Sequence, residues 1–177
     1  FVGGHGGGVT DLAYTPDGRR LVTSSYDGLV RMWDASTGTL VGESEQYERT
    51  TRSVTINPEG EVLAVGRSDG WVDLLRAEPR DGSLPLIASL EHGGIVYGVD
   101  FSPDGRLLAA VSARGHVGLW ETTTWEPYGQ TLMAPGGGGD VAFRGDSAAL
   151  AVSHWDNIVR VWDVASGGLL VPPNASS

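Results

Sequence analysis

Cysteine is absent from the 177 residues. No disulfide, thiolate nucleophile or thiolate-ligated zinc is therefore available to this chain. Cysteine-free composition fits cytoplasmic residence, which is the expectation taken here. Lysine is absent too: all twelve cations are arginine, against 22 acidic residues, for a formal net charge of −10. An acidic chain disfavours nucleic acid and anionic membrane as main partners, since both need a basic face. No apolar run reaches the ~18 residues of a membrane-spanning helix, and no basic-then-apolar leader opens the chain. Phe1 instead of Met suggests an excerpt from something longer. With 27 glycines, abundant Ala and Val and no lysine, the composition suggests a GC-rich bacterial coding bias. Also missing is any stretch of ten residues with a 3.6-residue apolar period, so helices are not expected.

What is present is one pattern written four times. Val9 to Asp34 and Val96 to Glu121 are the clearest copies; Arg52 to Arg76 and Gly139 to Asp163 are weaker. Two anchors fix the period. Trp33, Leu75, Trp120 and Trp162 are separated by 42, 45 and 42 residues, and so are Pro16, Pro58, Pro103 and Gly145. A period of about 40 to 45 residues with four short strands per unit signals propeller blades. Within copy 1, Val9 to Tyr14 alternates as a strand does. Thr15-Pro16-Asp17-Gly18 is a type I turn closed by a left-handed glycine. Arg20 to Ser24 is a second strand, Tyr26-Asp27-Gly28 a hairpin turn, Leu29 to Trp33 a third strand, and Thr39 to Glu43 a fourth. The second strands, such as Leu107-Leu108-Ala109-Ala110-Val111, are nearly continuous apolar runs, the mark of burial on both faces.

These residues resemble the WD-repeat β-propeller family over essentially the whole chain. Gly4-His5 matches the family's GH dipeptide and Trp33-Asp34 its WD dipeptide. The resemblance implies an all-β propeller of four-stranded antiparallel blades, with boundaries at 1–44, 45–91 (degenerate), 92–134 and 135–177. It also implies a structural hydrogen-bonded tetrad of His5, Thr23, Asp27 and Trp33. The other copies depart from it. Copy 2 has Leu75 and Val65 for the tryptophan and hydroxyl; copy 3 has Arg114 and Ala110 for the aspartate and hydroxyl; copy 4 has Val152 and Ala134 for the hydroxyl and histidine. On that basis three blades are expected to hold by apolar packing and the sheet ladder alone. His5, Thr23 and Asp27 could be misread as a hydrolase triad, but no nucleophile elbow or oxyanion-hole motif accompanies them.

Propellers close with four to eight blades, and this family usually has seven or eight. Four blades are half a ring. Closure is open between further blades of a longer chain, a second copy making an eight-bladed ring, and four blades closing on themselves. In the family, partners commonly bind the top face, lined by the starts of the first strands and by the second-to-third-strand turns. Those positions here include Tyr26, Arg52, Tyr97 and Trp155, residue types enriched at interface hot spots. Trp155 in a polar turn has no evident core role. Gly3 to Gly8 and Gly136 to Gly139 lack the context of a phosphate cradle and are expected to be loops between blades. Arg144-Gly145-Asp146-Ser147 falls at the first turn of copy 4, and Asn174-Ala175-Ser176 is a glycosylation acceptor only in a secreted chain. His5, His92, His116 and His154 have no metal-type spacing. Asp11, Asp100 and Asp140 recur on or beside first strands, where a central channel would lie; a propeller enzyme would have to draw on Asp11 and Asp100. The expected function is a non-catalytic scaffold or sensor module that binds protein or peptide, without cofactor or metal. In bacteria such propellers resemble parts of larger signalling proteins. A purely structural half-propeller is the alternative.

Overall fold

The computed structural model describes residues 4–133 and 135–171; Ala134 and the Asn174 acceptor motif lie outside them. Blade 1 is β1 (Val9–Tyr14), β2 (Arg20–Ser25), β3 (Val30–Asp34) and β4 (Leu40–Glu43). Blade 2 is β5 (Thr51–Ile56), β6 (Val62–Arg67), β7 (Trp71–Arg76) and β8 (Leu86–Glu91). Blade 3 is β9 (Val96–Phe101), β10 (Leu107–Ser112), β11 (His116–Glu121) and β12 (Leu132–Met133). Blade 4 is β13 (Gly138–Phe143), β14 (Ala149–His154), β15 (Val159–Asp163) and β16 (Leu169–Val171). Each blade is one four-stranded antiparallel sheet with its strands in chain order. No described residue is helical.

The turns explain why each copy folds locally. Gly18, Gly60 and Gly105 all have positive φ, and the amide of Gly18 donates to Thr15 O at 2.8 Å. Blade 4 puts Ser147 (φ 62°) at that position, so Arg144 to Ser147 is the first turn of a blade, held by Arg144 Nε donating to Asp146 at 2.8 Å. The second turns close on Gly28, Gly70 and Gly115, and in blade 4 on Asn157 at φ 66°. Asparagine is the residue best able to replace glycine in the left-handed region. The glycine run at 136–139 is not all loop: Gly138 and Gly139 open β13, Gly138 pairing with His154 at the end of β14 and Gly139 lying in the bulge that follows.

The core lies between blades. One apolar cluster joins blades 1 and 2 around Met32, Leu63 and Leu75. A second joins blades 2 and 3 around Leu74, Leu108 and Trp120, and a third joins blades 3 and 4 around Leu119, Leu150 and Trp162. Every residue of β10 is buried, as its apolar run anticipated. The first strands converge, β1 packing on β5, β5 on β9 and β9 on β13.

Close approach at these seams is set by size pairing. A Cβ added to Gly66 would stand 2.8 Å from Val96 Cγ1, and one added to Gly138 would stand 2.0 Å from Val111 Cγ2. Both valines are β-branched and stiff. Gly138→Ala is therefore expected to destabilise by about 1–3 kcal/mol in urea unfolding. Adding Val111→Ala should recover part of that loss; a double variant no better than the single one would contradict this packing.

Candidate functional site: a ladder across four blades

The tetrad residues of blade 1 meet. Trp33 Nε1 donates to Thr23 Oγ1 at 2.9 Å, and His5 Nε2 stands 2.7 Å from the same oxygen. His5 Nδ1 stands 3.1 Å from Asp27 Oδ2. With Nδ1 protonated, His5 donates to Asp27 and accepts at Nε2 from the Thr23 hydroxyl; with Nε2 protonated, it donates to Thr23 and accepts at Nδ1 from Arg31, 2.8 Å away. Arg31, which sequence reasoning passed over, adds a donor to Asp27 at 3.0 Å. Its signal was the spacing from Asp27, repeated at Asp156 and Arg160 in blade 4. Burial lowers the His5 pKa. Asp27 titrates down at about 2: burial opposes this, and the Gly6 and Leu29 amides, His5 and Ser25 outweigh it. The His5 side chain is 2% exposed. Thr23 Oγ is already committed to two partners in a buried site, so the trio is a brace, with no room for a substrate at the hydroxyl.

The remaining blades do not rest on apolar packing alone, contrary to the expectation from their lost tetrads. In blade 2, Arg67 pairs with Asp69 and with buried Asp73 at 2.7 Å, and stacks 4.7 Å over the Tyr47 ring. Burial, with Asp73 beside it, pushes the Tyr47 hydroxyl well above its usual pKa. In blade 4, buried Arg160 donates twice to Asp156, at 3.1 and 2.7 Å. Val152 supplies no hydroxyl there, and Trp162 Nε1 has no partner among the described residues. In blade 3, His92 packs edge-on to Trp120 at 5.6 Å and donates through Nε2 to His116 O at 3.2 Å. Burial pushes His92 down to about 4.

Tyr26, Arg52, Tyr97 and Trp155 come from four different blades and form one continuous run. The Arg52 guanidinium lies 4.9 Å from the Tyr26 ring centroid and 5.3 Å from that of Tyr97, and NH1 donates to Tyr26 Oη at 3.1 Å. Tyr97 then meets Trp155 edge to face at 5.0 Å. Arg52 and Tyr97 are the second residues of β5 and β9. At that place blade 4 has Gly139, where a Cβ would stand 3.3 Å from Trp155 Nε1, so the indole leans inward from its turn. Tyr26 is 51% exposed and Trp155 55%. Trp155 is thus not tucked beneath a neighbouring loop. Thr10, the blade 1 equivalent of Arg52, instead bonds Ser24 and the Thr51 carbonyl.

Two of the three first-strand aspartates, Asp11 and Asp100, are fasteners between neighbouring first strands, whereas Asp140 bonds within its own strand. Asp11 accepts from Ser53 Oγ at 2.8 Å and from the Val54 amide at 3.0 Å. Asp100 accepts from the Phe143 amide at 2.8 Å, and Asp140 from the Val141 amide at 2.9 Å. No group of three or more His, Asp or Glu able to hold a metal occurs among the described residues. Asp100 is pushed up to about 6 by burial, with Phe143 opposing and Asp140 adding repulsion. Burial and the nearby Asp11 raise Asp140 as well.

The geometry defines a β-propeller repeat module, and the chain belongs to the WD40 family. The family profile described as "WD domain, G-beta repeat" matches residues 1–34, 84–121 and 139–163. Most of blade 2, with Leu75 for the tryptophan, falls outside these stretches but folds as a fourth sheet of the same form. The chain is 28% identical over 174 residues to WD repeat-containing protein SL1-17 of Schistosoma mansoni, a match covering 96% of this chain and 55% of that protein. It is 30% identical over 173 residues to Periodic tryptophan protein 2 of Arabidopsis thaliana, covering 94% and 18%. Actin-interacting protein 1 of Drosophila melanogaster is 25% identical over 169 residues, covering 93% and 27%. The chain therefore spans about half, or less, of these curated relatives.

Asp100 gives a pH test. Its folded pKa is raised, so the folded state takes up a proton between pH 6 and 4, where the unfolded carboxyl is still ionised. The charge costs stability above pH 6, and the cost disappears towards pH 4. Asp100→Asn keeps an acceptor for Phe143 and removes the charge. The variant should exceed the parent at pH 8 by on the order of 1 kcal/mol, less than the full shift because the site is partly solvated. The two should converge at pH 4. His92, with its lowered pKa, destabilises the fold over the same fall in pH, but equally in both proteins. A difference that does not change with pH would contradict the burial of this charge.

Proposed function

We propose that this chain is a non-catalytic interaction module whose protein or peptide partner docks on the ladder of Tyr26, Arg52, Tyr97 and Trp155. The observation that carries the reading is the continuity of that ladder. Four side chains from four blades, of the types that dominate interface energetics, stand in one run at the same end of the sheets. Each blade is braced from beneath by its own polar network or aromatic pair, so the rungs are held on rigid strands and tight turns. Preorganisation of this sort reduces the ordering cost of binding.

The printed names of the relatives are in keeping with it, since one is an actin-interacting protein. A role in binding another protein is carried over to this chain as part of the proposal; actin itself is not. Cytoplasmic residence and a bacterial source also belong to the proposal and rest on composition alone. The relatives named above are eukaryotic.

The test begins with a random dodecapeptide display library panned against the wild-type chain, followed by titration calorimetry of the enriched peptides. Trp155→Ala should weaken binding by more than about 1 kcal/mol, roughly fivefold. Enriched peptides that bind both proteins equally would end the reading.

A further inference from the structure

Arginine drawn inward in this fold meets a carboxylate, except within the ladder. Arg31, Arg67 and Arg160 are half-buried or buried, and each lies 2.7–3.0 Å from an aspartate oxygen. Half-buried Arg20 interacts with the charge of Asp17. Arg52 is half-buried as well, yet it has no carboxylate partner among the described residues. Its contacts are the Tyr26 hydroxyl, reached by Nη1 at 3.1 Å, and the rings of Tyr26 and Tyr97. Its Nε is enclosed and donates to nothing. A charged donor taken from water without an acceptor costs free energy, and a bound anion offsets that cost.

The carboxylates at this end of the sheets do not supply that anion. Asp27, Asp69 and Asp156, in the second turns of blades 1, 2 and 4, are each tied to an arginine of their own blade. Exposed Glu45 and Glu48, in the loop before β5, contact no arginine. Blade 3 reverses the sign: Arg114 occupies the turn position of those aspartates, exposed and in no ion pair among the described residues. Its turn abuts the Trp155 rung, since a Cβ at Gly137 would stand 2.6 Å from Ala113 O and 2.8 Å from Trp155 Cε3. A chain of net charge −10 thus keeps one unpaired cation inside its aromatic ladder and another beside it.

We infer that the peptide segment received by the ladder is acidic, and that an aspartate or glutamate side chain in it docks its carboxylate on the Arg52 guanidinium. The assignment rests on the ladder being the docking surface and adds the chemistry of what that surface takes. With Nε enclosed, the terminal Nη1–Nη2 edge is the one left to a ligand. A guanidinium held against aromatic rings keeps its N–H edge for an acceptor in its own plane, the geometry in which a carboxylate accepts two parallel hydrogen bonds. The rings also keep water from that edge, which strengthens a charge-assisted contact. Half-exposed Tyr26 and Trp155 offer aromatic surface to the residues flanking the acid. Arg114 adds attraction of longer range, which salt screens.

The test uses dodecapeptides enriched on the wild-type chain, synthesised with acetylated and amidated ends so that only side chains carry acid. They should hold more Asp and Glu than the input library. Replacing the contacting glutamate by glutamine should weaken binding to the wild-type chain about tenfold in calorimetry. The same replacement should change binding to Arg52→Gln little, because the counter-charge is gone. Arg52→Lys, which keeps the charge without the planar fork, should recover only part of the affinity. The first of these readouts alters the peptide alone and depends on no variant folding. Enriched peptides without acid would overturn the inference, as would an acid whose replacement is felt equally by wild type and Arg52→Gln. A phosphoserine in the glutamate's place that binds more than about tenfold tighter would overturn it too, giving the site to phosphate. Acid-free peptides that still lose affinity on Trp155→Ala leave the ladder as docking surface and remove only the carboxylate. Peptides indifferent to both Trp155→Ala and Arg52→Gln remove the docking surface itself.

Discussion

Everything in this structure depends on one constraint: a twisted sheet with two apolar faces must be covered on both. Blades 2 and 3 meet it by lending one face to the blade before and the other to the blade after. That is why the apolar clusters lie between sheets and why β10, in the middle of a middle blade, is wholly buried. The constraint also explains the glycines at Gly66 and Gly138. Each is the vacancy into which a valine from the adjoining blade fits. Side-chain identity along the seams is thus set in pairs drawn from different repeats.

A second theme is that one architectural problem has four chemical solutions. The turn after the second strand must be tied to the sheet, and a buried polar group there must be paired. Blade 1 uses imidazole, hydroxyl, carboxylate and indole together. Blade 2 uses a guanidinium between two carboxylates with a phenol ring beneath it, and blade 4 a bidentate arginine–aspartate pair. Blade 3 keeps the histidine and tryptophan, carries Arg114 in place of the turn aspartate, and rests on an aromatic edge contact. An arginine–carboxylate pair with two hydrogen bonds offers the directionality that the tetrad offers. The repeats therefore drift in sequence without losing the turn. At the same end of the sheets stand the four rungs of the ladder, and on the first strands Asp11 and Asp100 tie neighbouring blades together.

Much of the fold was legible because its signals are local and repeated. Pro-Asp-Gly and Asp-Gly turns, apolar second strands and the doubled 42, 45, 42 spacing locate the sheets to within a residue or two. The blade 1 tetrad was legible for the same reason, since its four residues sit at fixed places in one repeat. The replacements in blades 2 and 4 were not. Arg67, Asp73 and Tyr47 occupy no motif, and Tyr47 reaches its blade from the loop before it, so their meeting depends on how that loop lies. That Gly138 and Gly139 open β13 is not legible in the sequence, because glycine composition gives no hint that the Gly138 backbone pairs with β14.

The sequence by itself determined the period, the four-stranded unit, the turn chemistry and the absence of cysteine and lysine chemistry, because each is written in residues close along the chain. It also singled out Tyr26, Arg52, Tyr97 and Trp155 as residues at one end of the blades. Only the tertiary structure decided that these four touch in a single run and that Asp11 and Asp100 each spend an oxygen on an amide of the next blade. Those facts arise where residues 26 or more positions apart are brought together by sheet stacking, and no local pattern encodes which of them meet.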